Sequence, residues 1–233
     1  QVSALRRANK VLSRGIPTLL KDNPAAAGAL AYRMTHGTDS IIAVFNSSDT
    51  ETLLDNLETQ LPAGTVLQGL FGIAGTPTDV VVPTGGRVTM KLAARSGEVW
   101  KMTTAKKSSP VASARITLDA LPAAVAREDF PVTGTAQDIA AFKLVIDGDL
   151  ANAQTVAPDK EGRWSATIRT GDMIKPAVRH SVVAWSGSSV SATRTFSVTR
   201  DWKVLADVED PAGDDSGPAG KYTYPTDAGW GSN

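Results

Sequence analysis

No cysteine occurs among the 233 residues, which excludes disulfides, thiol nucleophiles and thiolate metal sites together. That absence leaves the compartment open. Histidine is almost missing as well: His36 and His180 are the two imidazoles. They are far apart in sequence and fall in what read as different domains, which argues against a His-based catalytic triad or zinc site. Net charge is missing too, because 24 Lys and Arg balance 24 Asp and Glu. This removes the global electrostatic case for nucleic acid or an anionic membrane surface. There is no apolar run of membrane-spanning length and no signal peptide. Neither the nucleophile-elbow pattern G-x-S-x-G nor the phosphate loop G-x-x-x-x-G-K-[ST] appears.

What is present is a chain able to bury cores, with 42% hydrophobic and 21% charged residues, ordinary values for folded protein. Val2, Leu5, Ala8, Val11 and Leu12 recur at steps of three and four, predicting a short amphipathic helix over residues 1–14 that stops at "SRG". From Ala29 the period changes to two. "ALAYRM", "SIIAVFN" and "RVTMKLAARSGEVW" read as strands of an antiparallel domain over residues 15–104. Its expected core includes Leu30, Tyr32, Val44, Phe45, Val88, Met90, Leu92 and Trp100. "TAKKSSPVASA" is small, polar and basic, and its first half reads as a linker. Short strands then return about every ten residues over 110–200, the spacing of a sandwich. Within them Trp164 and Trp185 read as packing residues. The predicted class is all-β: two consecutive antiparallel β-sandwich domains, a short N-terminal helix and an extended C-terminal tail over 201–233, where Pro211, Pro218 and Pro225 bar a helix.

Carboxylates are the remaining candidates for catalysis, and glycoside hydrolysis needs two of them across a cleft. Most acids here sit in turn-like settings such as "IDGD", "PDKEG" and "SSDTE", where Asp accepts from the turn backbone. No catalytic residue is assigned. The tail concentrates Asp207, Glu209, Asp210, Asp214 and Asp215 in nine residues. Asp207, Asp210, Asp214 and Asp215 are candidate Ca²⁺ ligands, since calcium takes six to eight oxygens; a solvated acidic turn is the competing reading.

The order of motifs carries a resemblance. "LRRANKVLSRGIPTLLKD", then "ALAYRM", "IIAVFNSSDTETLLDNL" and "LAARSGEVWKM" resemble the last barrel helix and the C-terminal β domain of the α-amylase family, glycoside hydrolase family 13. In that resemblance Tyr32 faces the core, and Arg33 faces solvent or the barrel. "VTGTA", "IDG", "GRWSATI" and "HSVVAW" resemble bacterial immunoglobulin-like modules. "DVEDPAGDDSGPAGKYTYPTD" resembles the start of the C-terminal module of glucodextranase and amylopullulanase-like enzymes, with Ala219 an addition to the family's tighter spacing.

The resemblance implies a non-catalytic accessory region of a larger, extracytoplasmic, α-glucan-active hydrolase, cut at both ends. The family's catalytic carboxylates would precede Gln1. The implied partners are the missing catalytic barrel of the same polypeptide and, secondarily, an α-glucan or cell-envelope components. The alternative is a stand-alone carbohydrate-binding or envelope module without enzymatic activity.

Overall fold

A computed structural model describes residues 2–108, 114–171, 174–187 and 189–199, with the backbone alone of 202–204 and 223–225. The molecule is mostly strand. Two short helices open it, α1 (Val2–Ala8) and α2 (Val11–Arg14), where the sequence predicts one. The break falls at Asn9, whose side chain donates to the Leu5 carbonyl at 3.1 Å and competes for the backbone of its own helix.

The first domain contains β1 (Ile16–Lys21), β2 (Ala29–His36), β3 (Asp39–Asn46), β4 (Thr52–Glu58), β5 (Thr65–Gly72), β6 (Val80–Val81), β7 (Arg87–Leu92) and β8 (Gly97–Lys106). Six of these form one antiparallel sheet in the order β1-β2-β3-β8-β5-β6, and β4 pairs with β7 in a second. Ala29, Ala31, Ile42, Val44, Leu54, Leu57, Leu67, Leu92 and Trp100 fill the space between them. The expected alternation in β7 holds: Val88 and Leu92 are buried, and Met90 packs against the same cluster.

In β2 the phase is the reverse of the expectation. Ala29 and Ala31 face the inner core, whereas Leu30 is 41% exposed. The strand is apolar on both faces, so its two possible phases look alike until the partner sheet selects one. Phe45 is likewise turned outward, at 36% exposure, and Tyr32 packs on the outer, helix-bearing face with Val11 and Ile41. Arg33 takes the inner face, half-buried, donating from Nη1 to the carbonyls of Thr59 and Gln60 at 3.3 and 3.5 Å.

The second domain comprises β9 (Arg115–Ile116), β10 (Ala124–Val125), β11 (Phe130–Gln137), β12 (Phe142–Ile146), β13 (Gln154–Val156), β14 (Arg163–Ile168), β15 (Arg179–Trp185) and β16 (Arg194–Val198). Its sheets run β10-β16-β15-β12-β13 and β14-β11-β9. All pairings are antiparallel except β10 with β16, a short parallel edge. Trp164 lies in its core, edge-on to Phe142 at 5.0 Å between ring centroids. Beyond it β17 (Trp202–Val204) pairs antiparallel with β18 (Thr223–Pro225). Asp207, Asp210, Asp214 and Asp215, and with them the expected calcium loop, lie outside the described residues.

Candidate functional site

Two places on the molecule have features that core packing alone does not explain: the junction between the sandwiches and the outer face of the six-stranded sheet.

The junction begins with the sequence "LLDNL". Leu54 and Leu57 both face the inner core although three positions separate them, which an unbroken strand forbids. A bulge resolves this: the register of β4 against β7 shifts between Leu54 and Leu57, and Asn56 adopts φ 46°. Bulges re-aim side chains, and this one turns Asp55 and Asn56 toward the second domain. Asn56 Nδ2 donates to the Ser191 carbonyl and to Thr193 Oγ1, each at 2.9 Å. The Asp55 carboxylate, 2% exposed, accepts from Thr193 Oγ1 at 2.5 Å and pairs with the Lys21 ammonium.

Leu53, on the other side of β4, enters a cluster with Val145, Leu150 and Val183 of the second domain. Here the tip of the "IDGD" turn locks in. Asp147 (φ 51°) and Gly148 (φ 76°) form the central pair of a two-residue turn, the Asp-Gly pattern suited to left-handed backbone at both positions. Asp149 N–H closes the turn onto the Ile146 carbonyl at 2.9 Å. The Gly148 carbonyl accepts from the Leu53 N–H at 2.8 Å, and the Asp147 carbonyl accepts from Asn23 Nδ2 at 2.9 Å. A Cβ on Gly148 would come within 2.7 Å of the Leu53 carbonyl oxygen; glycine is required both by conformation and by contact.

The Asp147 carboxylate points back into its own domain. Oδ1 accepts from Ser181 N–H at 2.8 Å and Oδ2 meets His180 Nδ1 at 2.7 Å. His180 Nε2 lies 2.6 Å from the Lys175 carbonyl oxygen. Both ring nitrogens thus face acceptors, and only the imidazolium donates to both. Burial pushes the His180 pKa down, but the hydrogen bonds to Asp147 and the Lys175 carbonyl, with the Asp147 charge, outweigh it and the net shift is upward. With Nε2 occupied by a carbonyl, this Asp–His pair has no free nitrogen for a nucleophile and is not general-base machinery. A cleft of about 230 Å³ lies beside it, lined by Lys21, Asp22, Asp55, Asp147, Arg179 and His180 among others.

The second place is the outer face of the six-stranded sheet. Val11 of α2 packs there on Ile41, Ala43 and Val99. Beside the helix an apolar strip stays in solvent. Leu19 is 61% exposed and Ile73 66%. Leu19 is across from Tyr32, Tyr32 stacks on Phe45 at 5.9 Å, and Leu30 is across from Phe45. Gly97 completes the strip, because a Cβ there would fall 2.9 Å from Phe45 Cδ1 and 3.5 Å from Ile73 Cδ1. Five apolar side chains from β1, β2, β3 and the end of β5 therefore run continuously across the sheet. Helix α1, which leads into α2, has no buried residue.

No catalytic constellation was expected. Among the described residues no group of three or more His, Asp and Glu stands close enough to hold a metal ion, and no helix is long and apolar enough to cross a membrane. The turn reading of the acids holds for Asp159 of "PDKEG", which accepts from the N–H groups of Glu161 and Arg163 at 3.0 and 2.8 Å. It holds also for Asp149 of "IDGD", which accepts from those of Ala151 and Asn152 at 3.0 and 3.2 Å. It fails for Asp147, whose carboxylate meets Ser181 and His180, and for Asp49 of "SSDTE", which pairs with Arg95. Sequence reasoning missed the roles of Lys21, Asp55, Asn56 and His180. The legible hint was "IDGD", whose Asp-Gly pair predicts a tight turn but not what the turn touches.

No family model and no curated relative matches the sequence. Similar solved structures include an Anoxybacillus α-amylase assigned to a new glycosyl hydrolase subclass, at 22% identity over 47% of this chain and 22% of that one, TM-score 0.38. The α-amylase of Geobacillus thermoleovorans, in complex with acarbose, gives 21% identity over 42% and 20%, TM-score 0.36. The γ-CGTase of alkalophilic Bacillus clarkii gives 14% identity over 86% of this chain and 28% of that one, TM-score 0.34. This chain spans between a fifth and three-tenths of the length of these structures. At such identities and scores the likeness carries no argument about activity.

Proposed function

We propose that this chain is the non-catalytic accessory region of an α-glucan-active glycoside hydrolase, and that the outer face of its first sandwich docks on the catalytic domain. The observation that carries this is the uncovered apolar strip of Leu19, Tyr32, Leu30, Phe45 and Ile73, on the face where the N-terminal helices lie. Leu19 and Ile73, about two-thirds exposed, each represent roughly 1–2 kcal/mol of burial left unused, and Leu30 and Phe45 roughly 1 kcal/mol each. A seven-residue helix with nothing buried is not stable by propensity alone. Both features fit a surface that is covered in the working protein, and the chain arrives at that surface through α1. The family resemblance of "LRRANKVLSRG" and the strands after it supplies the occupant: a catalytic barrel on the N-terminal side of the same polypeptide. The second sandwich, locked to the first through Leu53 and the Asp147–Gly148 turn, then serves as a fixed extension.

The test compares the 233-residue chain with the full polypeptide encoded by its gene. Hydrolysis of starch or pullulan is expected of the full polypeptide and not of the 233 residues alone. The double substitution Leu30→Ser with Phe45→Ser should lower the melting temperature of the full polypeptide by several degrees, an interface loss of about 2 kcal/mol. It should lower that of the 233-residue chain too, since both side chains are more than half buried there, and the interface loss is the excess seen in the full polypeptide. A gene with no glycosidase domain ahead of Gln1 overturns the reading. Saturable α-glucan binding by the 233-residue chain, abolished by the same substitutions, would instead identify the strip as a carbohydrate-binding face.

A further inference from the structure

We infer, on the docking reading above, that the catalytic domain meets the outer face of the first sandwich with a surface that is apolar at its centre and acidic at its rim. The acids of that rim pair with Arg6, Arg7, Lys10 and Arg14.

Charge is balanced over the whole chain, at 24 cations and 24 acids, but its first 20 residues hold these four cations and no acid. All four are exposed. The ion pairs described in this domain are Lys21–Asp55, Arg87–Glu58, Lys91–Glu51, Arg95–Asp49 and Lys101–Asp39, and none of the four takes part in them. Arg7 Nε donates only to the Ser3 carbonyl of its own helix, at 3.4 Å. A helix favours cations in its last turn, which accounts for Arg6 and Arg7 in α1 and for Arg14 in α2. Lys10 has no such account: it stands at the N-cap of α2, the end where the dipole repels a cation. Arg6, Lys10 and Arg14 also recur every fourth residue, a spacing that sets like charges side by side along a helix and works against it. Four cations so placed are unfavourable until acids arrive opposite them.

The sheet underneath supplies no such acids. β1, β2, β3 and β5, which carry the apolar strip, contain one acid between them, Asp39, and it already lies 4.0 Å from Lys101. Glu98 of β8 is across from Val44, a residue of the inner core, so its carboxylate is on the other face. Helix α2 is seated on the outer face through Val11, with Lys10 next to it in sequence and Arg14 closing the helix. Whatever covers the strip therefore comes up against the cations as well. A cation that loses water without gaining a carboxylate is costly, so a wholly apolar cover would be opposed by the groups that border it. Carboxylates at the rim of the cover reverse that sign and fix its register.

The experiment makes Arg6→Glu, Arg7→Glu, Lys10→Glu and Arg14→Glu together, in the full polypeptide encoded by the gene and in the 233-residue chain. At about 0.02 M NaCl, where screening is weak, the substitutions should lower the melting temperature of the full polypeptide by several degrees more than that of the 233-residue chain. At about 0.5 M NaCl that excess should shrink to roughly half or less. Should the reversal fail to fold, the neutral set Arg6→Gln, Arg7→Gln, Lys10→Gln and Arg14→Gln is put through the same comparison, with a smaller excess expected. An excess that ignores salt, or no excess, overturns the inference. Leu30→Ser with Phe45→Ser, measured alongside, tells two failures apart. If that pair keeps its own excess, the strip is docked and only the acidic rim is wrong; if it shows none either, the docking reading falls too. Salt-dependent binding of the 233-residue chain to phosphatidylglycerol vesicles, lost in the same variant and without any excess in the full polypeptide, would assign the cations to an anionic membrane surface and likewise overturn the inference.

Discussion

The two sandwiches treat their outer faces in opposite ways. In the second domain β11 and β14 alternate strictly, burying Val132, Gly134 and Ala136 while Pro131, Thr133 and Thr135 face out, and burying Trp164, Ala166 and Ile168 while Ser165 and Thr167 face out. Thr117 and Thr135 complete that polar surface with a hydroxyl-to-hydroxyl contact at 2.8 Å. In the first domain β3 buries Ser40 through Val44 without a break, and the residues that reach solvent beside it are Leu30 and Phe45. A sheet with one wet face reads as alternation, and one covered on both faces reads as a continuous apolar run. The first domain has the second kind of sequence but, in this chain, only part of the cover. The difference separates a surface finished with polar residues from one left partly apolar.

That contrast can be broken at several points. The largest effect belongs to the cores, which both domains share. Trp164→Ala removes a side chain 4% exposed and its edge-on contact with Phe142, and should cost about 3–5 kcal/mol by chemical denaturation. Next comes the junction. Asp55→Ala removes the carboxylate from Lys21, leaving its ammonium the backbone carbonyl of residue 55 at 2.8 Å, and leaves Thr193 Oγ1 without its acceptor; losing one partner of a largely buried pair should cost about 3 kcal/mol. Because the ion pair lies within the first domain and the Thr193 bond crosses to the second, the substitution should destabilise the first domain and loosen the junction, so that a single calorimetric transition splits into two; a transition that stays single would show that Asp55 does not couple them. The smallest effect is expected on the exposed strip. Phe45→Ser removes a side chain already about two-thirds buried and its stack on Tyr32, and should cost this chain about 1–2 kcal/mol. It should, however, reduce self-association at high concentration, as read by light scattering. A large destabilisation there would mean that Phe45 belongs to the core after all and that the two outer faces differ less than their exposures indicate.

Much of the fold is legible before any coordinates. The period-two runs, the Gly and Pro punctuation and the proline-barred tail point to consecutive β domains, and Val88 and Leu92 are buried as their alternation requires. The site was less legible. Nothing local marks Asp55 or Asn56 as outward, since "LLDNL" reads as a plain strand fragment until the bulge against β7 shifts the register. The phase of β2 was hidden for a related reason: Ala29, Leu30, Ala31 and Tyr32 are all apolar, so parity alone cannot say which pair goes inward. Small alanines face the inner core because the opposing pair β4–β7 lies close there, and the larger side chains are left for the open face.

By itself the sequence determined the class of the molecule, because strand periodicity, turn chemistry and the lack of cysteine are local or compositional facts that need no partner to be read. It also determined the Asp147–Gly148 turn, whose left-handed backbone only a few residue types accept. Tertiary structure alone decided what that turn grips, that both ring nitrogens of His180 face acceptors, and that Leu19, Leu30, Phe45 and Ile73 form one strip. Each of these depends on residues tens of positions apart meeting at a set distance and orientation, and side-chain period fixes only which face a residue is on, not what lies opposite it.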